Sequence, residues 1–341
     1  MAYITFQPKD HFNTKLYTGT GSAQSISSVG FQPDWCWLKS RASANHRAFD
    51  AVRGATKALY PSLSNAQGTS SAELNAFNSD GFTLGSEANV NANGVNFVSW
   101  NWKANGSGSA NSDGTISSTV SVNTTSGFSI VSYTGNATSG ATIGHGLGVA
   151  PAVVLVKRLN ATSDWVMYHK GMGASKFIVL NTTAAEASSG GIFYNTAPTA
   201  SLFYVGDDGA TNASGGTYVA YCFAEKTGFS KFGSYTGNGN ANGPMIYTGF
   251  KPAWYLWKPY NATDSWNLVD SKRAGYNPDN NRLFPNATSA EDTQDRVDLV
   301  SNGIKIKTSD GGTNSSSRSY IFMAFAEAPL VGSNNVPANA R

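Results

Sequence analysis

Large apolar side chains recur at every second position in three distant places: Val98/Trp100/Trp102, Val219/Tyr221/Phe223 and Ile321/Met323/Phe325. That period marks a strand with one buried face. The opposite face changes polarity from copy to copy, which predicts a different neighbour for each. Three other runs, Trp35-Cys36-Trp37-Leu38-Lys39, Val153-Val154-Leu155-Val156-Lys157 and Trp254-Tyr255-Leu256-Trp257-Lys258, are apolar at consecutive positions and end in lysine. Such runs predict central strands covered on both faces. Each follows a Gly-x-x-Pro turn, at Pro33, Pro151 and Pro252, and each turn follows a Tyr-Thr-Gly triplet beginning at Tyr17, Tyr133 or Tyr235. One β-rich unit is therefore written three times.

Each unit opens with an aromatic-to-tyrosine strand, from Phe12, Phe128 and Phe229, the last one residue longer and so predicted to bulge. A strand after the central one runs through Trp165–His169 and Trp266–Asp270; in the first copy His46–Asp50 stands there without the leading tryptophan. Asp80-Gly81 and Asn302-Gly303 are hairpin turns. Further polar turns at Asn91-Ala92-Asn93-Gly94, Asn212-Ala213-Ser214-Gly215 and Asn314-Ser315-Ser316 precede the closing strands, and a short helix is expected over Ser289–Asp295. The density of turns predicts an all-β protein of three tandem antiparallel β-sandwich repeats, jelly-roll-like, each with a core of its own. The divisions are an N-terminal arm at 1–9, repeat 1 at 10–104, a Gly/Ser/Asn-rich linker at 105–126 that is flexible over Asn105–Gly114 and alternates weakly over Thr115–Asn123 so that it could pair with a neighbour, repeat 2 at 127–226, repeat 3 at 227–330 and a surface tail at 331–341.

Composition narrows the chemistry. Charged residues are 13% of the chain and the net charge is +3, with no basic stripe to follow a phosphate backbone, so no nucleic-acid partner is expected. No apolar stretch reaches the length of a membrane span, and the N-terminus lacks the form of a signal peptide. Cys36 and Cys222 occupy non-equivalent strands and read as buried reduced thiols. No nucleophile elbow, P-loop, zinc motif or EF-hand loop occurs, so no catalytic residue, metal or cofactor is assigned. His145, flanked by glycines, reads as an exposed turn histidine, and His169 as a strand-end cap. Asp207-Asp208-Gly209 and Asp279-Asn280-Asn281 read as solvated turns, and Glu73 with Glu87 as an acidic pair without further support for glycoside hydrolysis. Aromatic density near loops singles out Trp165, Tyr168, Trp254, Trp257, Tyr260 and Trp266 as candidates for stacking against a sugar.

Several motifs in order resemble a known family. They are Gly30–Trp35 with Asp50–Lys57, Asn78–Gly85, Trp100–Ala104, Gly144–Pro151 and Met323–Glu327. Together they resemble repeat-containing tail-fibre-like and virion structural proteins of tailed phages that infect marine bacteria and cyanobacteria. The resemblance carries no catalytic residue. It implies a non-enzymatic virion protein assembled in the host cytoplasm and displayed on the particle, as capsid decoration or tail appendage. Its expected partners are other virion proteins, docked through residues 1–9, and further copies of itself as a homo-oligomer. A receptor-binding adhesin for host surface polysaccharide is the alternative expectation, and a glycan depolymerase the third.

Overall fold

The computed structural model describes residues 6–273, 276–278 and 280–329. Among these the architecture is all-β and every sheet is antiparallel, apart from one isolated parallel bridge. In all three units the opening strand pairs with the closing strand, the closing strand with the central strand, and the central strand with a partner strand. The opening strands are Phe12–Thr18, Phe128–Thr134 and Ser230–Thr236, and the closing strands Asn96–Trp102, Thr217–Phe223 and Ser319–Pro329. The central strands are Trp35–Ser40, Val153–Arg158 and Phe250–Pro259, and the partner strands Arg47–Asp50, Trp165–His169 and Asn267–Asp270. Registers correspond: Trp35 lies opposite Trp102, Val153 opposite Phe223 and Trp254 opposite Phe325.

A smaller sheet backs each of these. It comprises Gln24–Ile26, Gly81–Leu84 and Leu74–Asn78 in unit 1, Ala141–Gly144 with Leu202–Val205 in unit 2, and Met245–Tyr247, Gly303–Ile306 and Val297–Val300 in unit 3. The Tyr-Thr-Gly triplet ties the two layers together. The tyrosine hydroxyls of Tyr17, Tyr133 and Tyr235 donate to the carbonyls of Val90, Thr211 and Thr313 at 2.7, 2.8 and 2.7 Å. The next residue in each case is a fully buried asparagine: Asn91, Asn212 or Asn314. Its amide donates to two or three loop carbonyls and its oxygen accepts a backbone N–H from the loop after the triplet. The triplet glycine must be glycine, since a Cβ at Gly19 would lie 2.2 Å from the Ala92 carbonyl oxygen.

The expectation of three separate cores is corrected. The outer faces of units 1 and 2 each enclose a private core, around Phe49, Phe82 and Leu84 in one and Val154, Val156 and Phe203 in the other. The inner faces of all three sheets pack on one another in a single cluster that also takes in the private core of unit 3. The period-two stripes of the closing strands lie in this shared core: Trp100, Trp102, Tyr221, Phe223, Met323 and Phe325. Trp35 stacks on Tyr221 at 4.5 Å, Trp102 meets Trp254 edge to face at 5.7 Å, and Phe223 meets Phe325 at 5.8 Å, so every pair of units is joined. Periodicity shows that a face is buried and is silent about what covers it.

Within the linker at 105–126, the weakly alternating stretch pairs as expected, Ser118–Asn123 lying against the opening strand of unit 2, whereas the stretch expected to be flexible holds a further strand, Ser109–Asn111, and the sheet of unit 2 reaches eight strands. Glycine and serine composition favours flexibility only where no sheet edge offers pairing, and Ser118–Asn123 offers one. Within the arm, Pro8–Asp10 form a 3₁₀ turn and Phe6 packs edge-on to Phe229 at 5.5 Å; residues 1–5 lie outside the described residues, as does the tail at 331–341. Ser289–Asp295 holds no helix: it is irregular apart from an isolated bridge between Asp292 and Arg282. The register shifts fall in the central strand of unit 3 near Pro252, whereas its opening strand pairs without a break.

Candidate functional site

The densest buried polar chemistry lies where the units meet. The three lysines that end the central strands, Lys39, Lys157 and Lys258, are fully buried. Their ammonium groups donate only to backbone carbonyls: Ser40 and Ala42 at 2.6 and 2.8 Å, Ser64 at 2.9 Å with Ser163, and Thr183 at 2.9 Å with Asp264. Burial pulls all three down to about 8. Ser64 belongs to unit 1 and Thr183 to unit 2, so the lysines of units 2 and 3 reach across the seam to the preceding unit. The loops after the lysines repeat the step in backbone: Ser163 donates to Ser64 at 2.8 Å, Asp264 to Thr183 at 2.9 Å and Ala44 to Thr288 at 2.9 Å. The last bond joins unit 1 to unit 3, and the three contacts close a ring.

A ring N–H repeats the same order. Trp165 Nε1 donates to the Tyr60 carbonyl at 3.0 Å and Trp266 Nε1 to the Val179 carbonyl at 2.9 Å. His46 holds the equivalent place in unit 1. Its Nδ1 accepts from Trp37 Nε1 at 2.9 Å, which leaves Nε2–H to donate to the Phe284 carbonyl at 3.0 Å. Burial first, then the positive charge of Lys39, holds its pKa well below the ordinary value, so the imidazole is neutral. The tryptophan missing from the first copy is thus replaced by a histidine that makes the same bond.

A third set links closing strands to partner strands. Tyr221 donates to Asp50 Oδ2 at 2.7 Å and Trp100 Nε1 to Asp270 Oδ2 at 3.0 Å. Each carboxylate also pairs with the arginine three residues on, Arg53 at 2.5 Å and Arg273 at 2.6 Å, and is fully desolvated. Burial pushes the Asp270 carboxyl up, and Arg273 with the Trp100 and backbone donors more than reverses this, so it lies below its usual range. In the third seam the donor position is Met323 and the arginine position Met172, neither able to serve a carboxylate. His169 stands there instead. Its Nδ1 accepts from Gly171 N–H at 3.0 Å and its Nε2–H donates to the Phe322 carbonyl at 3.0 Å. Burial holds it at about 4.

The six aromatic side chains expected to stack on a sugar do not form a solvent-facing platform. Trp165, Trp254, Trp257 and Trp266 are at most 1% exposed and Tyr168 is 5% exposed. Trp165, Trp254 and Trp266 face the shared core, Trp257 donates to the Gly312 carbonyl inside unit 3, and Tyr168 packs on Phe193 in unit 2. Only Tyr260 is half-buried, at the seam between units 2 and 3 where its carbonyl accepts from Glu186 N–H. Their position near loops reflects strand ends that abut another unit.

His145 is fully buried, not exposed: Leu147 N–H donates to its Nδ1 and its Nε2–H donates to the Thr199 carbonyl, both at 3.2 Å. His169 does cap the turn after its strand. Glu73 pairs with Arg47 at 2.8 Å while Glu87 caps a four-residue helix, so the two have separate structural partners. Asp208 organises its own loop by accepting from Ala210 N–H, and Asp279 lies outside the described residues. Among the described residues no cluster of His, Cys, Asp and Glu has a metal-holding arrangement, and no helix is long and apolar enough to cross a membrane. Cys36 and Cys222 are free and buried. A void of about 10 Å³ remains where the units meet, lined by aromatic and aliphatic side chains including Trp35, Trp102, Leu155, Phe223, Trp254 and Met323. It is too small and apolar to hold more than one poorly bonded water.

The signal for the lysine ring was in the sequence as three runs ending in lysine, although the pattern gave no reason for it. Comparison with known proteins finds one family, described as a domain of unknown function (DUF7483), whose model matches residues 7–329. No curated protein and no solved structure matches.

Proposed function

We propose a structural role for this chain, which belongs to the DUF7483 family: a rigid, non-enzymatic three-lobed block displayed on a phage particle, as capsid decoration or tail appendage. The observation that carries the structural part is the use made of the buried polar groups. Lys157, Lys258, Asp50, Asp270, His46 and His169 each bond across a seam or receive a bond across one. Groups engaged in this way are held in fixed geometry by partners in the neighbouring unit, which suits permanent shape and not turnover. The family match spans all three units, consistent with one indivisible block.

Placement on a particle rests on the resemblance of the sequence motifs to virion proteins. It is tested by labelling the chain in purified particles and locating the label in a low-resolution map; particles that lack the protein would remove the reading. Release of reducing sugar from host envelope material by the purified protein would replace it with the depolymerase reading.

A further inference from the structure

The three smaller sheets have equivalent outer edges with three different fates. Ile26, Ile143 and Ile246 correspond, lying opposite Phe82, Phe203 and Ile304. In unit 2 the chain itself covers the edge: Ile116 N–H donates to the Thr142 carbonyl at 3.0 Å, and Thr115 exchanges bonds with Thr142. In unit 1 the edge is polar and, among the described residues, uncovered, with Ser25 and Ser27 exposed. In unit 3 the edge strand Met245–Tyr247 pairs, among the described residues, only with Gly303–Ile306, and Met245 and Tyr247 are 43% and 60% exposed. An open edge bearing large apolar side chains is a pairing surface, and natural proteins avoid one that has no partner.

The backbone of that edge is ready to pair. Ile306 N–H donates to the Pro244 carbonyl and Thr248 N–H to the Asn302 carbonyl, so residues 244, 246 and 248 face inward. Met245 and Tyr247 therefore direct their N–H and C=O groups outward, as Thr142 does in unit 2. We infer that this edge binds a second copy of the chain, strand against strand, about a two-fold axis through Ile246. Antiparallel pairing in that register sets Met245 opposite Tyr247 of the second copy on both sides of the axis. Each outward N–H then meets an outward C=O, giving four hydrogen bonds, and both thioethers lie on tyrosine rings. The edge is its own complement, which is the requirement of an isologous interface, and the result is a six-stranded sheet running through two molecules. The patch is small, so the dimer is reversible and concentration-dependent.

Sedimentation velocity on the full chain, from micromolar to about 0.5 mM, the weak end of specific association, tests this. Dimer is expected to accumulate with concentration. Tyr247→Lys and Met245→Lys should each weaken it at least about tenfold, the effect of charge on a pairing edge, while Ser25→Lys on the corresponding edge of unit 1 leaves it unchanged. Near-UV circular dichroism checks that these exposed substitutions leave the fold intact. Register is read separately: a mixture of M245C and Y247C chains should form an intermolecular disulfide on oxidation, and neither chain alone should, because the diagonal separation exceeds disulfide reach. A monomer throughout the range, a dimer indifferent to Tyr247→Lys, or crosslinking in the single chains but not in the mixture overturns the inference. None of these results bears on whether the protein is found in particles.

Discussion

Replacing His169 by aspartate restores at the third seam the residue the other two seams carry, and the structure gives reasons to expect damage. Asp50 and Asp270 each have an arginine three residues on and a donor from the neighbouring unit. At position 169 those places hold Met172 and Met323, whose side chains donate nothing, and what remains is the backbone N–H groups of the following turn, of which Gly171 bonds His169 now. The site is fully buried, so an aspartate there takes up a proton instead of ionising. Holding a carboxyl of ordinary pKa near 4 protonated at pH 7 costs about 4 kcal/mol at 1.36 kcal/mol per unit. A loss of about 3–4 kcal/mol in urea denaturation at pH 7 is therefore expected for His169→Asp. The pH dependence gives a second reading. The folded aspartic acid binds its proton more tightly than the unfolded one, so the variant gains stability as pH falls toward 4. The parent moves the other way: with His169 at about 4 when folded against 6.5 unfolded, it loses about 3 kcal/mol over that window. Together the two trends exceed the deficit at pH 7, so the gap between the proteins should close at about pH 5.5 and reverse below it, and adding Met323→Tyr should recover part of the loss at pH 7. A variant within about 1 kcal/mol of the parent at pH 7, or a deficit independent of pH, would refute the reasoning.

Other outcomes follow from the same contacts. Lys39, Lys157 and Lys258 at about 8 are deprotonated in the fold before they are in the unfolded chain, so stability should rise between about pH 8 and 10, and Lys157→Met should flatten that rise by about a third in urea midpoints. Asn212→Ala leaves the Gly206 carbonyl and the Asn136 N–H without their partner, removes one of two donors from the Thr138 carbonyl, and should cost about 2–3 kcal/mol by the same assay. Gly135→Ala places a Cβ 2.5 Å from the Ala213 carbonyl oxygen, and calorimetry should show a melting temperature lower by several degrees.

The repeated unit, its strands and the order of its turns were legible because each is a local pattern: alternation, a proline turn, a glycine beside a tyrosine. The partner of each face was not legible. Trp165 and Trp266 sit at strand ends beside polar loops, where a sugar platform and a seam with another unit look alike in sequence. His46 read as a missing tryptophan, although its imidazole makes the bond the indole would make. Residues 105–114 read as flexible because such a composition resists structure only in the absence of an edge to join, and the weakly alternating stretch after them supplies that edge. The lysines were visible in triplicate, but nothing local explains why a run of buried residues should end in a charge.

The closed order of the seams bears on how such a chain could arise. Contacts run from unit 2 to unit 1, from unit 3 to unit 2, and from unit 1 back to unit 3. Two units in tandem would leave one tryptophan-rich face and one seam open to water. A unit standing alone could satisfy both sides of its seam only by joining two others in the same closed order, so the single chain does internally what three separate units would have to do by association. Because the three seams lie in one chain, each can carry its own chemistry, and the histidine at 169 opposite the methionine at 323 is one such private adjustment.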